Sequence, residues 1–170
     1  WTPEAQPLSV RNQASRPRVR EMRAAVASAT PGRCAVVLRL GQLFGRDPQT
    51  THALKATREG DPILLGKPEN YITLLHHSDA GLAFVAALRA DSGFYNVGGE
   101  PITRGRWAKD LAMEAGVETP AKFYPEITQA IVGTRLEVQR RSLRVSSVRF
   151  MSETGWRPTV GPSTKGWSRR

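Results

Sequence analysis

Two segments of the chain repeat apolar residues every three or four positions, the spacing of one helix face. The first, PRVREMRAAVASAT, starts at Pro17 and ends before Pro31-Gly32. The second follows Thr103, a favourable N-cap, and Gly116 comes just past its end. We therefore predict helices over both segments. The apolar stripe of the second consists of Trp107, Ala108, Leu111, Ala112 and Ala115.

Short β-branched and aliphatic runs predict strands between these helices. The run CAVVLRL (residues 34–40) does not alternate, which is typical of a buried parallel strand. DPILLG, YITLL and GFYNV predict three more strands. We interpret GQLFGRDPQ as a loop and THALKATREG as a short helix stopped by Gly60.

The remaining segments show weaker patterns. SDAGLAFVAALRA is apolar almost all round, so we expect a helix capped by Ser78 and buried against a sheet. ITQAIVGTRLEVQRRS predicts a helix flawed by Gly133, and SVRFMSETG predicts a short helix. The segment from Trp156 onward is interpreted as a Pro/Gly-rich tail with Trp156 as a packing anchor.

Helices and strands alternate along the chain, which indicates an α/β fold. The 170 residues suffice for one domain, with 39% apolar and 24% charged residues. The single cysteine, Cys34, excludes an internal disulfide and a cysteine-based zinc site. No apolar run is long enough to span a membrane and the N-terminus does not have a signal-peptide pattern, so we expect a cytoplasmic protein.

The net charge of +10 is concentrated at the two ends of the chain. Residues 1–33 carry +4 and residues 131–170 carry +7, whereas the middle is balanced at −1. Basic ends bind nucleic acid or an anionic cofactor, or they serve only solubility. Because the sequence has no helix-turn-helix, zinc-finger or RNA-recognition signature, a nucleic-acid-binding domain is the last of the alternatives.

Free-standing catalytic motifs are missing from the sequence. It contains neither the G-x-x-x-x-G-K-[ST] phosphate loop nor the G-x-S-x-G nucleophile elbow. His76 and His77 are adjacent, and in an extended segment their rings would point to opposite sides, which makes them poor ligands for one metal. We expect one buried, hydrogen-bonded histidine, one surface histidine and no metal site.

Arginines cluster in the last quarter of the chain. If this stretch is helical, Arg140 and Arg144 lie one turn apart and can present a pair of guanidinium groups. Guanidinium groups bind phosphate in a bidentate fork, so one interpretation is a phosphate or diphosphate site. The other is a solvated helix face, and the residues alone leave both open. The cluster consists of Arg135, Arg140, Arg141, Arg144 and Arg149.

Four segments in order carry a family resemblance: VVLRLGQLFG, LLHHSDAGLAFVAAL, GFYNVGGEPIT and SLRVSSVRFMSETGWRPTVGPSTKGW. They are similar to the patterns LR-x-x-x-x-(Y/F)-G, (F/I)-I-H-V-D-D-x-A, G-x-Y-N-V-x-D-x-P-x-T and S-x-R-V-S-N followed by G-W-x-P. These patterns belong to the C-terminal part of the NAD-dependent epimerase/dehydratase family, in the extended or atypical branch of the short-chain dehydrogenases/reductases. The resemblance covers roughly residues 18–167.

The resemblance implies a remnant of a Rossmann-like parallel sheet plus a smaller C-terminal substrate-binding lobe. Residues 1–17 would be a loop or exposed end, 18–60 the last part of the dinucleotide domain, and 61–170 the substrate-binding lobe interleaved with returning Rossmann elements. The full-length protein would use NAD or NADP and act by hydride transfer on a small molecule, a nucleotide-sugar or another carbonyl substrate. A homodimer is left open.

The same resemblance assigns site residues. Leu40, Gly41 and Gln42 would approach the nicotinamide of the cofactor. The residue facing substrate phosphates would be the arginine of the R-V-S segment. The implied substrate-binding residues are Asn70, Tyr71, His76 and Arg144.

The chain departs from the family at the cofactor turn and at the catalytic pair. It has no G-x-x-G-x-x-G turn, and none of Tyr71, Tyr95 and Tyr124 is followed four residues later by the lysine of the family's Y-x-x-x-K pair. Catalytic residues therefore stay unassigned. Two main functions are left open: part of an NAD(P)-dependent epimerase, dehydratase or reductase that is inactive alone, or a non-catalytic NAD(P)-binding sensor.

Overall fold

The structure, a computed structural model, describes residues 16–126 and 141–169. Within these ranges the helices are α1 (Arg16–Ala27), α2 (Pro48–Glu59), α3 (His77–Ala86), α4 (Arg104–Ala115) and α5 (Val148–Thr154), with 3-10 turns at Ala87–Arg89 and Trp167–Arg169. The strands are β1 (Val36–Leu40), β2 (Gln42–Phe44), β3 (Pro62–Leu64), β4 (Tyr71–His76), β5 (Gly93–Val97), β6 (Pro101–Thr103) and β7 (Lys122–Phe123). None of these helices has the length and hydropathy that crossing a membrane requires.

The strands form three small sheets. β1 and β5 pair in parallel, so that Leu40 and Val97 end side by side. β4 lies between β2, its parallel neighbour, and β6, its antiparallel neighbour. β3 pairs in parallel with β7. The predicted parallel strand at 34–40 is confirmed over Val36–Leu40, although each of its five residues is only half-buried.

Helix boundaries follow the side chains and glycines that cap them. The Thr103 hydroxyl accepts the Arg106 N–H at the start of α4, and Gly116 ends that helix with φ 74°. Gly60 likewise ends α2 as predicted. α2 begins earlier than predicted, at Pro48, because the Asp47 carboxylate caps it.

The main core lies between α4, α2 and the sheet β2–β4–β6. Phe44 is its aromatic centre, with ring centroids 5.7 Å from Trp107 and 5.2 Å from Trp167. Leu111 and Trp167 are completely buried. The segment after Trp156 is therefore not a mere tail, because its last tryptophan is part of the core.

Two carboxylates, the buried Asp79 and the half-buried Glu114, bind the C-terminal strap, which we define as residues 156–169. Asp79 accepts the backbone N–H groups of Thr159 (3.0 Å) and Val160 (2.9 Å). On α4, Glu114 accepts the N–H groups of Gly166 (2.9 Å) and Ser168 (3.1 Å). These hydrogen bonds connect α3 and α4 through the strap, and those to Asp79 satisfy a carboxylate that is removed from water.

A second, smaller core lies on one face of the sheet β1–β5. Tyr95, Val97 and Phe150 are completely buried there, and the predicted anchor Trp156 donates its indole N–H to the Asp79 carbonyl at 3.1 Å. By contrast, α1 buries only Val19. The cover of this sheet by the described residues is thus partial.

Three sequence predictions need correction, and one cannot be compared. The segment GQLFGRDPQ contains β2, because pairing with β4 imposes a strand that the local sequence does not signal. α3 is capped by His76 rather than Ser78. It is also not buried all round, since Leu82, Phe84 and Val85 are exposed, as is Leu88 in the 3-10 turn that follows. The predicted helix in ITQAIVGTRLEVQRRS lies mostly outside the described residues.

Candidate functional site

The candidate site lies where the carboxyl ends of β1 and β5 meet the sheet β2–β4–β6. The Gly41 N–H donates to the Val97 carbonyl at 2.8 Å, and Gln42 then begins β2. Leu40, Gly41 and Gln42 therefore carry the chain from one sheet to the next. Crevices at the carboxyl ends of parallel strands are where α/β proteins bind ligands.

Two glycines allow the two sheets to approach closely. A Cβ atom on Gly41 would come within 2.8 Å of the Thr73 carbonyl oxygen, and one on Gly98 within 2.5 Å of the Thr73 methyl group. Both distances are too short for any side chain. The structure thus gives Gly41 a packing function, and its predicted contact with a cofactor stays a prediction.

Residues 141–147 are fastened across this junction by hydrogen bonds. The Tyr71 N–H donates to the Ser142 hydroxyl at 3.0 Å, and the Tyr71 carbonyl accepts the Leu143 N–H at 3.0 Å. The Val145 N–H donates to the Thr73 hydroxyl at 3.1 Å. Further along, the Gly98 N–H donates to the Ser147 hydroxyl at 2.9 Å. The backbone on either side of Arg144 is therefore fixed.

Arg144 lies over the aromatic ring of Tyr71. Its guanidinium carbon is 3.5 Å from the ring centroid, the geometry of a cation–π contact. The side chain is exposed, and among the described residues no carboxylate forms an ion pair with it. Arg144 does not lie in a described helix, whereas Arg149 of the same cluster lies in α5. Arg135 and Arg140 lie outside the described residues, so the phosphate-site interpretation of the cluster stays a prediction.

Two further arginines lie near Tyr71. Arg104, the first residue of α4, is buried and donates to the Arg141 carbonyl at 3.2 Å. Burial lowers the pKa of Arg104. The predicted residue Asn70 joins this region through its carbonyl, which accepts the Arg104 N–H at 2.8 Å. Asn70 and Tyr71 thus belong to the same corner as the arginines.

A cavity of about 230 Å³ opens beside Gln42. Its polar side chains include Gln49, His52 and Tyr124, and its wall contains Trp107. None of the described residues that line it is acidic, so this part of the cavity suits a neutral, partly apolar group that forms hydrogen bonds. Sequence reasoning missed Gln49, His52 and Tyr124, because only folding brings α2 and the segment after β7 to β2.

His76 lies apart from this corner. Its ring is completely buried, Nδ1 lies 2.7 Å from the Ser78 hydroxyl, and Nε2 lies 3.1 Å from the Trp167 carbonyl. Since a carbonyl only accepts, Nε2 carries the proton. This confirms the buried, hydrogen-bonded histidine. In the structure the ring anchors the strap, and the suggested substrate contact of His76 stays a prediction.

His77 also differs from its prediction. Its ring does not point away from that of His76, because the backbone turns into α3 at this position, and the two ring centroids are 4.3 Å apart. His77 is half-buried and accepts the Arg46 N–H at 3.2 Å. In residues 16–126 and 141–169 no three His, Cys, Asp or Glu side chains are grouped as metal ligands.

Tyr95 is a second buried polar centre, at the sheet β1–β5. Its hydroxyl donates to the Glu153 carboxylate and accepts Arg149 Nη2 at 3.2 Å. Burial and the Glu153 hydrogen bond raise the pKa of Tyr95 to about 12. The hydrogen bond from Tyr95 in turn lowers the pKa of Glu153. Because the phenol is occupied internally, Tyr95 is not a member of the candidate site.

Solved structures with the same fold were found by structural comparison. The human epimerase family protein SDR39U1 (isoform 2), crystallised with NADPH, has a TM-score of 0.81 at 20% identity, over 98% of this chain and 59% of that chain. MoeE5 in complex with UDP-glucuronic acid and NAD gives 0.71 at 16%, over 98% and 58%. The dTDP-glucose 4,6-dehydratase of Bacillus anthracis in complex with NAD gives 0.70 at 18%, over 97% and 52%.

At these identities the likeness shows the fold. The chain has the α/β fold of a part of the epimerase and dehydratase structures, which confirms the predicted fold class and the resemblance at the level of structure. It spans 52% to 59% of the length of these three chains. No protein-family model and no curated protein sequence matches it.

Proposed function

We propose that this chain is the C-terminal, substrate-holding part of an NAD(P)-dependent epimerase, dehydratase or reductase that acts on a nucleotide-sugar. One observation carries the proposal: an exposed arginine without a described carboxylate partner lies over the Tyr71 ring, in a segment that is hydrogen-bonded to Thr73 and to Gly98, just after the carboxyl end of β5. A diphosphate linked to a neutral sugar or base has the matching chemistry.

Each residue of the corner has a role in this proposal. The Arg144 guanidinium binds the diphosphate, with Tyr71 and Asn70 beside it. Gln42 lies at the mouth of the cavity and donates or accepts hydrogen bonds to the neutral part of the substrate. Residues 18–60 then complete a dinucleotide domain, and most of residues 61–170 form the substrate lobe.

The cofactor of the proposed enzyme is NAD or NADP, the cofactors named with the matching structures. This chain by itself does not fit the group, since it has no glycine-rich G-x-x-G-x-x-G turn to receive the pyrophosphate. Leu40 and Gly41 supply at most the edge of its site. We expect the isolated chain to be marginally stable and to bind no dinucleotide.

Binding to the product of the complete reading frame tests this proposal. We expect UDP-glucose to bind in the micromolar range and NADH or NADPH to quench tryptophan fluorescence on binding. Arg144→Leu is expected to weaken UDP-glucose binding at least tenfold, because a charge-assisted bidentate contact is lost, and to leave dinucleotide binding unchanged. Failure of both ligands to bind would overturn the proposal.

A non-catalytic NAD(P) sensor is the second candidate, and the tyrosines favour it. The Tyr95 phenol is bonded to Glu153, and one face of the Tyr71 ring is covered by Arg144. Neither has the lysine that lowers a catalytic tyrosine's pKa. Oxidation of NAD(P)H over a panel of nucleotide-sugars and ketones separates the two: turnover identifies an enzyme, and tight cofactor binding without turnover identifies a sensor.

A further inference from the structure

We infer that Tyr71 is a positioning residue, whose ring holds the Arg144 guanidinium in the orientation that receives the substrate anion. The inference rests on the proposed function, since it concerns the same site. It differs from the sequence expectation, in which Tyr71 itself contacts the substrate. The distinction matters because it makes the aromatic ring essential and the phenolic hydroxyl dispensable.

The Tyr71 ring is a fixed platform. Tyr71 begins β4 opposite Thr103 of β6, so one side of its backbone is held by the sheet. On the other side, its N–H and carbonyl are both bonded to the segment that carries Arg144, through Ser142 and Leu143. Ring and guanidinium therefore project from two backbone segments that are hydrogen-bonded to each other, and the guanidinium carbon lies 3.5 Å from the ring centroid.

Stacking determines which part of the guanidinium faces outward. A guanidinium group lying flat on a ring keeps its N–H donors in the plane, directed away from the ring centre. That edge is the part that binds two oxygens of a phosphate in parallel. An exposed arginine without the ring loses side-chain entropy when it binds an anion, and the stacked residue loses less.

Arg149 offers an internal comparison within the same chain. Its guanidinium carbon also lies over a tyrosine ring, 4.5 Å from the centroid of Tyr95. There, however, the guanidinium donates to Glu153 at 2.8 Å, so its charge is already used. Arg144 has the ring but no described carboxylate, the combination expected for an anion still to be bound.

The test measures binding of inorganic pyrophosphate and of UDP to the product of the complete reading frame, with neutral uridine as the uncharged comparison. We expect Tyr71→Phe to change pyrophosphate affinity less than twofold, because the ring is kept. Tyr71→Leu is expected to weaken it about threefold to fivefold, the size of a cation–π contact at an exposed site. Uridine carries no phosphate, so its affinity should be the same in the wild-type protein, Tyr71→Phe and Tyr71→Leu.

Two further variants keep the inference falsifiable. If Tyr71→Leu unfolds the protein, Tyr71→Trp replaces it and is expected to match or exceed wild-type affinity for pyrophosphate, since tryptophan is the best cation–π partner. Arg149→Leu is the matched control and should leave pyrophosphate binding unchanged. In an Arg144→Leu background, Tyr71→Leu should have no further effect, as a double-mutant cycle requires for an action through Arg144.

The outcomes separate the inference from the proposed function. If Tyr71→Phe weakens binding as much as Tyr71→Leu, the phenol contacts the anion directly and the positioning role is overturned. If Arg144→Leu weakens binding but Tyr71→Leu has no effect, or if Tyr71→Leu unfolds and Tyr71→Trp weakens pyrophosphate binding, the positioning role is again overturned while the proposed function stands. If Arg144→Leu itself leaves pyrophosphate and UDP affinity unchanged, the diphosphate site of the proposed function fails.

Discussion

The helices α4 and α3 are both rich in apolar residues, yet they are covered to very different extents. α4 buries the side chains of Trp107 and Leu111, and the strap closes over it through Glu114. α3 buries only small residues and Asp79, whereas Val85 on the same helix is exposed. The same contrast separates β4, buried along most of its length, from the half-buried β1.

This contrast identifies which part of the fold is complete. Around α4, every large apolar side chain of the predicted stripe finds its cover within the chain. Around β1, helix α1 buries a single residue and one strand edge lacks a described partner strand. We interpret the second region as the place where a further part of the fold attaches, in agreement with the 52% to 59% of the matching chains that this chain spans.

The largest effect on stability is expected in the region around α4. Trp167→Ala should lower the free energy of unfolding by about 3–5 kcal/mol, because it removes a completely buried ring from the aromatic cluster with Phe44 and Trp107. Urea unfolding followed by circular dichroism measures it. A change below about 1 kcal/mol would show that the strap does not belong to the core.

The next largest effect on stability is expected where the strap connects α3 with α4. Asp79→Asn keeps the shape but replaces one carboxylate oxygen by an amide donor. In one amide orientation this donor replaces Oδ2 and faces the N–H groups of both Thr159 and Val160; in the other it replaces Oδ1, which accepts the Thr159 hydroxyl. We expect a loss of about 1–3 kcal/mol in unfolding free energy. Asp91→Asn, at an exposed position, is the control and should change little. Equal losses of unfolding free energy in Asp79→Asn and Asp91→Asn would contradict the conclusion that Asp79 anchors the strap.

We expect the stability of the protein to depend on pH through Tyr95, in the sheet β1–β5. Because the pKa of Tyr95 lies at about 12 in the folded protein, above its ordinary value of 10.0, the stabilisation from its bound proton is complete below pH 10 and is lost as the pH rises towards 12. Thermal unfolding measured along this range should show the loss. In Tyr95→Phe the unfolding temperature should fall less between pH 10 and pH 12 than in the wild-type protein. An identical fall would show that the raised pKa of Tyr95 does not cause the loss of stability.

The smallest effect is expected at Leu88, in the 3-10 turn that directly follows α3. Leu88 is 86% exposed, so Leu88→Gln should change the free energy of unfolding by less than about 0.5 kcal/mol. It should also reduce self-association in sedimentation experiments, since an exposed apolar face promotes it. Leu111→Ala, which empties a completely buried position, should by contrast cost about 2–5 kcal/mol. Similar losses of unfolding free energy in Leu88→Gln and Leu111→Ala would contradict the difference in burial between these two positions.

Local signals in the sequence predicted most of the elements. The cap Thr103 and the glycines Gly60 and Gly116 mark helix ends through their own chemistry, so no tertiary information is needed. β2 was missed because a three-residue strand exists only through its pairing with β4. The burial of Trp167 was missed because it depends on carboxylates on α3 and α4, far away in the sequence.

The candidate site was predicted in part. The resemblance located Arg144 and Tyr71, which the structure brings into contact. Their relation, ring beneath guanidinium, could not be predicted, because residues 71 and 144 are distant in sequence. The two hydrogen bonds of the buried His76 ring, to the Ser78 hydroxyl and the Trp167 carbonyl, could not be predicted either, because residue 167 is distant in sequence.

Amide hydrogen exchange of the isolated chain tests most directly the central claim, that the β1 side awaits a further part of the fold. We predict that the hydrogen-bonded amides of β4 and α4 exchange only through global unfolding. Those of β1 and α1 should exchange at least about tenfold faster, because local opening exposes little apolar surface there. Equal protection of β1 and α4 would contradict the claim.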